Sequence, residues 1–230
     1  MNYEGIFESS PTARSADQIN TAMGRVYGYM MMAVVISMMV SMGVGTNPEL
    51  VKFFFTGIMH WVVIFAPLVA VFILVPFIGA NPPKGAAIAA LMGFSALMGL
   101  SFAIIFAVYS MSSIFTAFMG AAVLFGVMSF YGYFTKQSLD SIGKFCFVGL
   151  IAIVIASIIN IFIGSTVMQM VISAIAIIVF MGLTMYDTQK IREDLMDNPS
   201  EYAEIYGAMT LYLDFINIFL SLLQLTGDRE

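Results

Sequence analysis

The sequence predicts an all-α integral membrane protein with seven transmembrane helices. Of its 230 residues, 60% are hydrophobic and only 10% are charged. A soluble domain is usually about one quarter charged, so the lipid bilayer must be the solvent for most of this chain. The net charge is −5 and the basic residues form no patch. Nucleic acid is therefore excluded as an expected partner, and membrane lipid is expected.

Runs of about 20 apolar residues mark helices that cross a membrane. Six such runs are clear, and a seventh is weaker because Asp214 lies inside it. The seven predicted spans are Val26–Gly45, Gly57–Gly79, Gly85–Val108, Ile114–Phe134, Ile142–Gly164, Val167–Tyr186 and Ala208–Thr226.

The remaining segments are short and polar, which predicts one transmembrane domain over residues 26–226 and no soluble domain. Residues 1–25 are interpreted as a disordered polar arm, because they lack the early apolar region of a signal peptide. Residues 227–230 form a C-terminal tail. The only sizeable loop is predicted at Thr188–Gly207, which contains five of the fourteen acidic residues.

The lysines and arginines indicate the orientation, because cytoplasmic loops carry an excess of them. With the N-terminus in the cytoplasm, seven basic residues fall inside and two, Lys52 and Arg229, fall outside. We therefore expect a multi-pass protein of a bacterial inner membrane with a cytoplasmic N-terminus. The C-terminus would lie outside, or inside if the seventh run re-enters without crossing. The seven inside residues are Arg14, Arg25, Lys84, Lys136, Lys144, Lys190 and Arg192.

Two carboxylates are the candidates for chemistry. Asp187 closes the sixth span and Asp214 lies within the seventh, and an ionisable group inside a membrane helix is a functional candidate by default. With a rise of about 1.5 Å per residue, Asp214 lies roughly 9 Å above the predicted start of its helix. Asp187 reaches a similar level if its own helix continues for a turn. Considered alone, Asp187 would also fit an alternative interpretation, that of an acidic residue exposed to water at the membrane interface.

Two adjacent carboxylates in a medium of low dielectric do not ionise independently, so we expect Asp187 and Asp214 to titrate as a pair that shares one proton near neutral pH. Protonation would allow tight helix packing, and deprotonation would favour separation or capture of a cation. Calcium prefers oxygen ligands, although two carboxylates alone make a weak site.

Other polar residues in the apolar runs predict packing roles. Asn160 and Asn217 are expected to form hydrogen bonds between helices or along a pore. The single cysteine, Cys146, cannot form a disulfide within the chain. No cofactor is expected, other than calcium as a transported ion.

The last two spans resemble the Bax inhibitor-1 family, also called the transmembrane BAX inhibitor motif family, and within it the bacterial YbhL/YetJ-like branch. The resemblance is carried by the stretch Tyr186-Asp187-Thr188-Gln189-Lys190-Ile191 at the end of the sixth span. It is also carried by Leu211-Tyr212-Leu213-Asp214-Phe215-Ile216-Asn217-Ile218-Phe219 in the seventh, and by Asn160-Ile161-Phe162 in the fifth.

This resemblance implies six helices around a central C-terminal helix, and a pH-sensitive calcium leak whose sensor maps to Asp187 and Asp214. Relatives often carry an arginine at the end of the second helix that latches onto an aspartate. Here that region contains no arginine, and only Lys84 follows it. A change of gating is therefore expected.

Three alternatives to the leak remain open at the level of sequence. A non-transporting regulator would bind membrane proteases or other membrane proteins through the predicted 188–207 loop. An intramembrane aspartyl protease would also need two aspartates on adjacent helices, but Asp214 lacks the Gly-x-Gly-Asp context of that class. A secondary transporter would show internal repeats, which the sequence does not. We expect a protein that is not an enzyme.

Overall fold

The computed structural model describes residues 16–80, 82–197 and 200–228. Within these ranges, seven helices are long and apolar enough to cross a membrane, which confirms the predicted number of spans. The helices are α1 (Ala16–Gly45), α2 (Pro48–Phe54), α3 (Gly57–Gly79), α4 (Lys84–Phe102), α5 (Ile105–Val108), α6 (Met111–Phe134), α7 (Asp140–Ile163), α8 (Thr166–Asp197) and α9 (Glu201–Thr226).

The first helix begins earlier than predicted. Helix α1 starts at Ala16, so the second half of the expected polar arm is helical, and residues 1–15 lie outside the described part of the chain. Ile19, Ala22, Met23 and Val26 are all buried. Their spacing of three and four residues places them on one face of a helix. This short amphipathic stretch packs against the bundle although its other side is polar.

The predicted loop at Thr188–Gly207 is wrong. Helix α8 continues through Asp197 and helix α9 begins at Glu201, after the N-cap Ser200. The extension of α8 is amphipathic, with Thr188, Ile191 and Leu195 buried on one face. The acidic residues of this segment, which suggested a loop, occupy the other positions of the same helical turns. The mean polarity of the segment does not show that its apolar residues share one face.

Two short helices were also missed. Helix α2 lies between the first two spans, where Asn47 accepts hydrogen bonds from the amides of Glu49 and Leu50 and Pro48 occupies the first turn. The predicted third span is divided into α4 and α5 by a turn at Ala103. The predicted boundary at Val108 is nevertheless where α5 ends.

Helix α9 is the most buried span. Of the residues in its apolar stretch, 61% are buried inside the protein, whereas the corresponding share in the other six spans is 11–39%. It packs against α1, α3, α4, α6 and α8, and its interface with α8 is the most extensive in the molecule. Helix α7 packs mainly against α8, so the predicted ring of six helices around α9 is not confirmed.

Candidate functional site

Asp187 on α8 and Asp214 on α9 line the same cavity, and their carboxyl groups are close enough to interact with each other. Asp214 is 4% exposed, whereas Asp187 is only partly buried. The continuation of α8 beyond the apolar run is what brings Asp187 to the depth of Asp214. The two sequence-predicted acids therefore meet across the α8–α9 interface.

Neighbouring residues on α9 hold Asp214 in this position. The hydroxyl groups of Tyr212 and Ser37 are 2.6 Å apart, and Ser37 also donates to the carbonyl of Ser95, 2.8 Å away. Phe215 packs edge-on against Phe118 and Phe125 of α6, with ring centroids 5.4 and 5.8 Å away. These contacts fix α9 on α1, α4 and α6, and they leave the Asp214 side chain to face α8.

The contact between the two carboxyl groups requires a proton. An ionised carboxylate only accepts hydrogen bonds, so two ionised groups cannot bond to each other. Oδ2 of Asp214 is buried and receives no hydrogen bond from a donor group of the described residues. One proton held between Asp187 and Asp214 would supply the missing donor and would remove one of the two buried charges.

Two cavities adjoin this carboxyl pair. The deeper cavity, of about 650 Å³, lies between α3, α7, α8 and α9 and contains Asp187, Asp214 and Asn217 in its wall. The second, of about 640 Å³, is lined by Asp187 together with Asp194 and Asp197 of the α8 extension. Because Asp187 belongs to both walls, the two cavities adjoin each other at the carboxyl pair.

Basic groups approach these cavities from α7 and α8. Lys144 lines the deeper cavity and Lys190 lines the acidic one, where its Nζ lies 3.1 Å from Oδ1 of Asp194. Helix α3 contributes Val75 and Gly79 to the walls, and its sequence contains neither lysine nor arginine. A basic latch from α3 is therefore not available to the carboxyl pair.

The two asparagines have different surroundings. Asn217 lines the deeper cavity, but its Nδ2 donates to the carbonyl of Leu213 in its own helix, 2.8 Å away. Asn160 lies far from the acids, and its Nδ2 donates to Oε1 of Gln169 across the α7–α8 hairpin, 3.2 Å away. Only Asn160 makes the hydrogen bond between helices that was predicted for both.

The carboxyl pair by itself offers few ligands for a metal ion. Among the described residues, no three side chains of His, Cys, Asp or Glu are grouped so that they could hold a metal ion. Calcium takes 6–8 oxygen ligands in proteins, and the pair supplies only carboxyl oxygens from two residues. A cation would therefore bind weakly here.

Two features of the structure were not predicted from the sequence. Arg25 on α1 donates from Nε and Nη2 to the two carboxylate oxygens of Glu204 on α9, at 2.7 and 2.5 Å, and the Glu204 side chain is fully buried. Both residues had been placed in polar segments. The available signal was the buried face that Ile19, Met23 and Val26 form beside Arg25.

The second feature is a cluster of amides, formed by Asn160, Gln169 and Gln224 with the hydroxyl of Ser173, at the opposite end of α8 and α9 from the acids. We call it the amide cluster. A polar cavity of about 380 Å³ adjoins it. The signal in the sequence was two glutamines near the ends of otherwise apolar runs.

Comparison with known proteins places the chain in a family. Residues 19–230 match the family described as "Inhibitor of apoptosis-promoting Bax1". The chain is 36% identical over 219 residues to the inner membrane protein YbhL of Escherichia coli, covering 92% of this chain and 93% of the relative. It is 35% identical over 222 residues to an uncharacterized protein of Deinococcus radiodurans, covering 94% of each.

A membrane protein of Streptococcus pyogenes is 36% identical over 166 residues, covering 71% of this chain and 72% of the relative. The family match spans all seven transmembrane helices and includes both aspartates. The predicted resemblance is thereby confirmed, and this multi-pass membrane protein belongs to the Bax inhibitor family.

Proposed function

We propose that the protein is a passive, pH-sensitive calcium leak of the bacterial inner membrane, gated by the proton that Asp187 and Asp214 share. The observation that carries the proposal is the contact of these two carboxyl groups at the junction of two cavities. The family resemblance supports the same activity. With the N-terminus in the cytoplasm, the acidic cavity opens on the cytoplasmic side.

In the protonated state the pair holds α8 against α9. The hydrogen bond between the carboxyl groups joins the two helices, and only one negative charge remains to be accommodated. The deeper cavity then ends at Asn217, which lies one turn beyond Asp214 on α9. A cation that enters from the acidic end of α8 meets a closed interface, so flux is low.

Loss of the shared proton reverses this balance. Two unit charges about 4 Å apart repel each other by about 4 kcal/mol at an effective dielectric constant of 20. That energy favours separation of α8 from α9, or entry of a cation between the carboxylates. Since raising the pH removes the proton, flux should rise with pH and fall as the pH is lowered.

Calcium suits this path because it binds carboxylate and amide oxygens. Weak binding is an advantage in a leak, since a conducted ion must leave the site as readily as it enters. The sequence contains no phosphate-binding loop, so the ion is expected to move down its own gradient. No catalytic step is assigned to the aspartates.

The test is calcium flux into proteoliposomes that contain the purified protein and an internal calcium indicator, measured from pH 6 to pH 8. Asp214→Asn and Asp187→Asn should each reduce flux at the higher pH by about tenfold, a change of about 1.4 kcal/mol. Flux should also lose its pH dependence. The reason is that an amide donates permanently to the remaining carboxylate and holds the interface closed.

Asp140→Asn is the matched control, because Asp140 is exposed at the start of α7 and contacts Ser138 rather than the pair. It should leave the pH profile unchanged. Wild-type vesicles without any protein-dependent flux would overturn the proposal. So would a pH profile that both pair variants leave intact.

The regulator alternative loses its predicted loop, because residues 188–197 continue α8.

A further inference from the structure

The amide cluster closes the α8–α9 interface at the end opposite to the acids. Nε2 of Gln169 on α8 donates to Oε1 of Gln224 on α9 at 2.6 Å, and the Ser173 hydroxyl donates to the same oxygen at 3.0 Å. These two hydrogen bonds are direct links between the helices that the carboxyl pair also joins. Each end of the interface therefore has its own polar contact.

The α7–α8 hairpin positions the cluster. Helix α7 ends at Gly164, whose φ of 67° lies in the left-handed region that glycine adopts without strain. The amide of Ser165 then donates to Oδ1 of Asn160 at 3.2 Å, and Nδ2 of Asn160 donates onward to Gln169. The hydrogen bonds run in one direction, from the hairpin through Asn160 and Gln169 to Gln224.

A polar face of α9 connects the two ends. Asp214, Asn217, Ser221 and Gln224 lie within an arc of about 80°, because successive residues of an α-helix are rotated by about 100°. Asn217, where the deeper cavity ends, is about 10 Å from Gln224 along the axis. Ser221 lies between them and is 8% exposed. Asn217 is partly buried and Gln224 is exposed near the end of α9, so this face of α9 carries neutral polar groups from the carboxyl pair to the end of the helix.

We propose that the amide cluster is a second constriction of the path, through which a partly dehydrated cation passes by exchanging water for the oxygens of Asn160, Gln169 and Gln224. The inference rests on the proposed leak, and it assigns the outer end of the ion path to the amide cluster. In the closed state these oxygens accept hydrogen bonds from neighbouring amide and hydroxyl groups. Separation of α8 from α9 breaks the bonds to Gln224 and frees its oxygen.

The constriction has different chemistry from the carboxyl pair. Its groups are neutral at every physiological pH, so it contributes to ion selectivity and rate but not to proton sensing. A cation held by amide oxygens meets no fixed negative charge and dissociates easily. The two constrictions are therefore separable: variants of the cluster should alter which ion passes, and variants of the pair should alter the pH at which any ion passes.

The experiment measures Ca²⁺ and Na⁺ flux in proteoliposomes at pH 8 for Gln224→Glu. A carboxylate at the constriction should raise the ratio of Ca²⁺ to Na⁺ flux by about tenfold, because a full charge replaces a dipole beside a divalent ion. The midpoint of the pH profile should stay within the wild-type error. Gln137→Glu is the control, since Gln137 is an exposed residue in the α6–α7 connection.

A second variant guards against a folding defect. Ser173→Ala removes one hydrogen bond to Gln224 and leaves the charge unchanged. It should raise the flux of both ions by loosening the closed contact. An unchanged flux ratio in Gln224→Glu, together with unchanged flux in Ser173→Ala, would overturn the inference while the pH response of the wild type still supports the leak. Absence of wild-type flux would instead remove the proposed function itself.

Discussion

Asp214 shows how a single acidic side chain can be tolerated inside an apolar helix. Its carboxyl group is almost fully buried and meets Asp187, while Tyr212 and Phe215 anchor the adjacent positions of α9 to α1 and α6. Burial of an isolated charge is expensive, and the proposed shared proton would remove one of the two charges. Protonation of one carboxyl group would then be linked to the packing of the helix.

Arg25 and Glu204 provide a second charged contact of a different kind. The guanidinium binds both carboxylate oxygens, a geometry that is stronger than a single charge-assisted bond. Because Arg25 and Glu204 carry opposite charges, their contact needs no shared proton. It fixes the first turn of α9 to α1.

Arg25→Gln should therefore destabilise the protein and leave the pH response in place. Removing the guanidinium deprives a fully buried carboxylate of a charged donor, which costs about 1–3 kcal/mol. The free energy of unfolding in detergent micelles is the quantity to measure. Lys190→Gln is the control: its partner Asp194 is half exposed, and exposed pairs contribute about 0–1 kcal/mol. Equal effects of the two variants would contradict this assignment.

At the scale of elements, α8 is held against α6 by a close approach of the backbones as well as by a polar contact. A Cβ atom on Gly132 of α6 would meet the backbone of Met185 in α8, only two residues before Asp187. Ser129 and Thr188 place their hydroxyl groups 3.0 Å apart across the same helix pair. Helix α6 therefore determines where the Asp187 end of α8 lies.

Gly132→Ala should separate α6 from α8, because the backbone of Met185 cannot move aside as a flexible side chain would. Overpacking of this kind costs about 1–3 kcal/mol, and it should lower the midpoint of thermal unfolding. Gly126→Ala on the same helix is the control, since a Cβ atom there meets nothing within 4 Å. If both glycine variants unfold alike, the close approach does not set the position of α8.

At the scale of the whole molecule, the polar groups form one line along the α8–α9 interface. The acidic cavity, the carboxyl pair, Asn217 and the amide cluster follow each other from one end of the bundle to the other. Lipid-facing helices such as α3 and α7 bury few of their apolar residues. The polar groups of the proposed path are therefore concentrated in the two helices that the rest of the bundle supports.

The sequence was sufficient for the number of spans and for the two acids, because a bilayer imposes a length on apolar runs and makes an intramembrane aspartate conspicuous. It was insufficient at the polar ends of helices. The continuation of α8 has a buried face formed by Thr188, Ile191 and Leu195. The acidic residues around them give this segment the composition that is typical of a loop. Arg25 and Glu204 are distant in sequence, so only tertiary packing pairs them.

The shared proton is tested most directly by infrared spectroscopy of the protein in lipid, which detects the carbonyl stretch of a protonated carboxyl group. A shared proton predicts a protonated carboxyl band near neutral pH that disappears as the pH rises, over the same range in which calcium flux increases. The band should be absent from the double variant Asp187→Asn/Asp214→Asn. A wild-type spectrum with no such band, or one that the double variant retains, would contradict the shared proton.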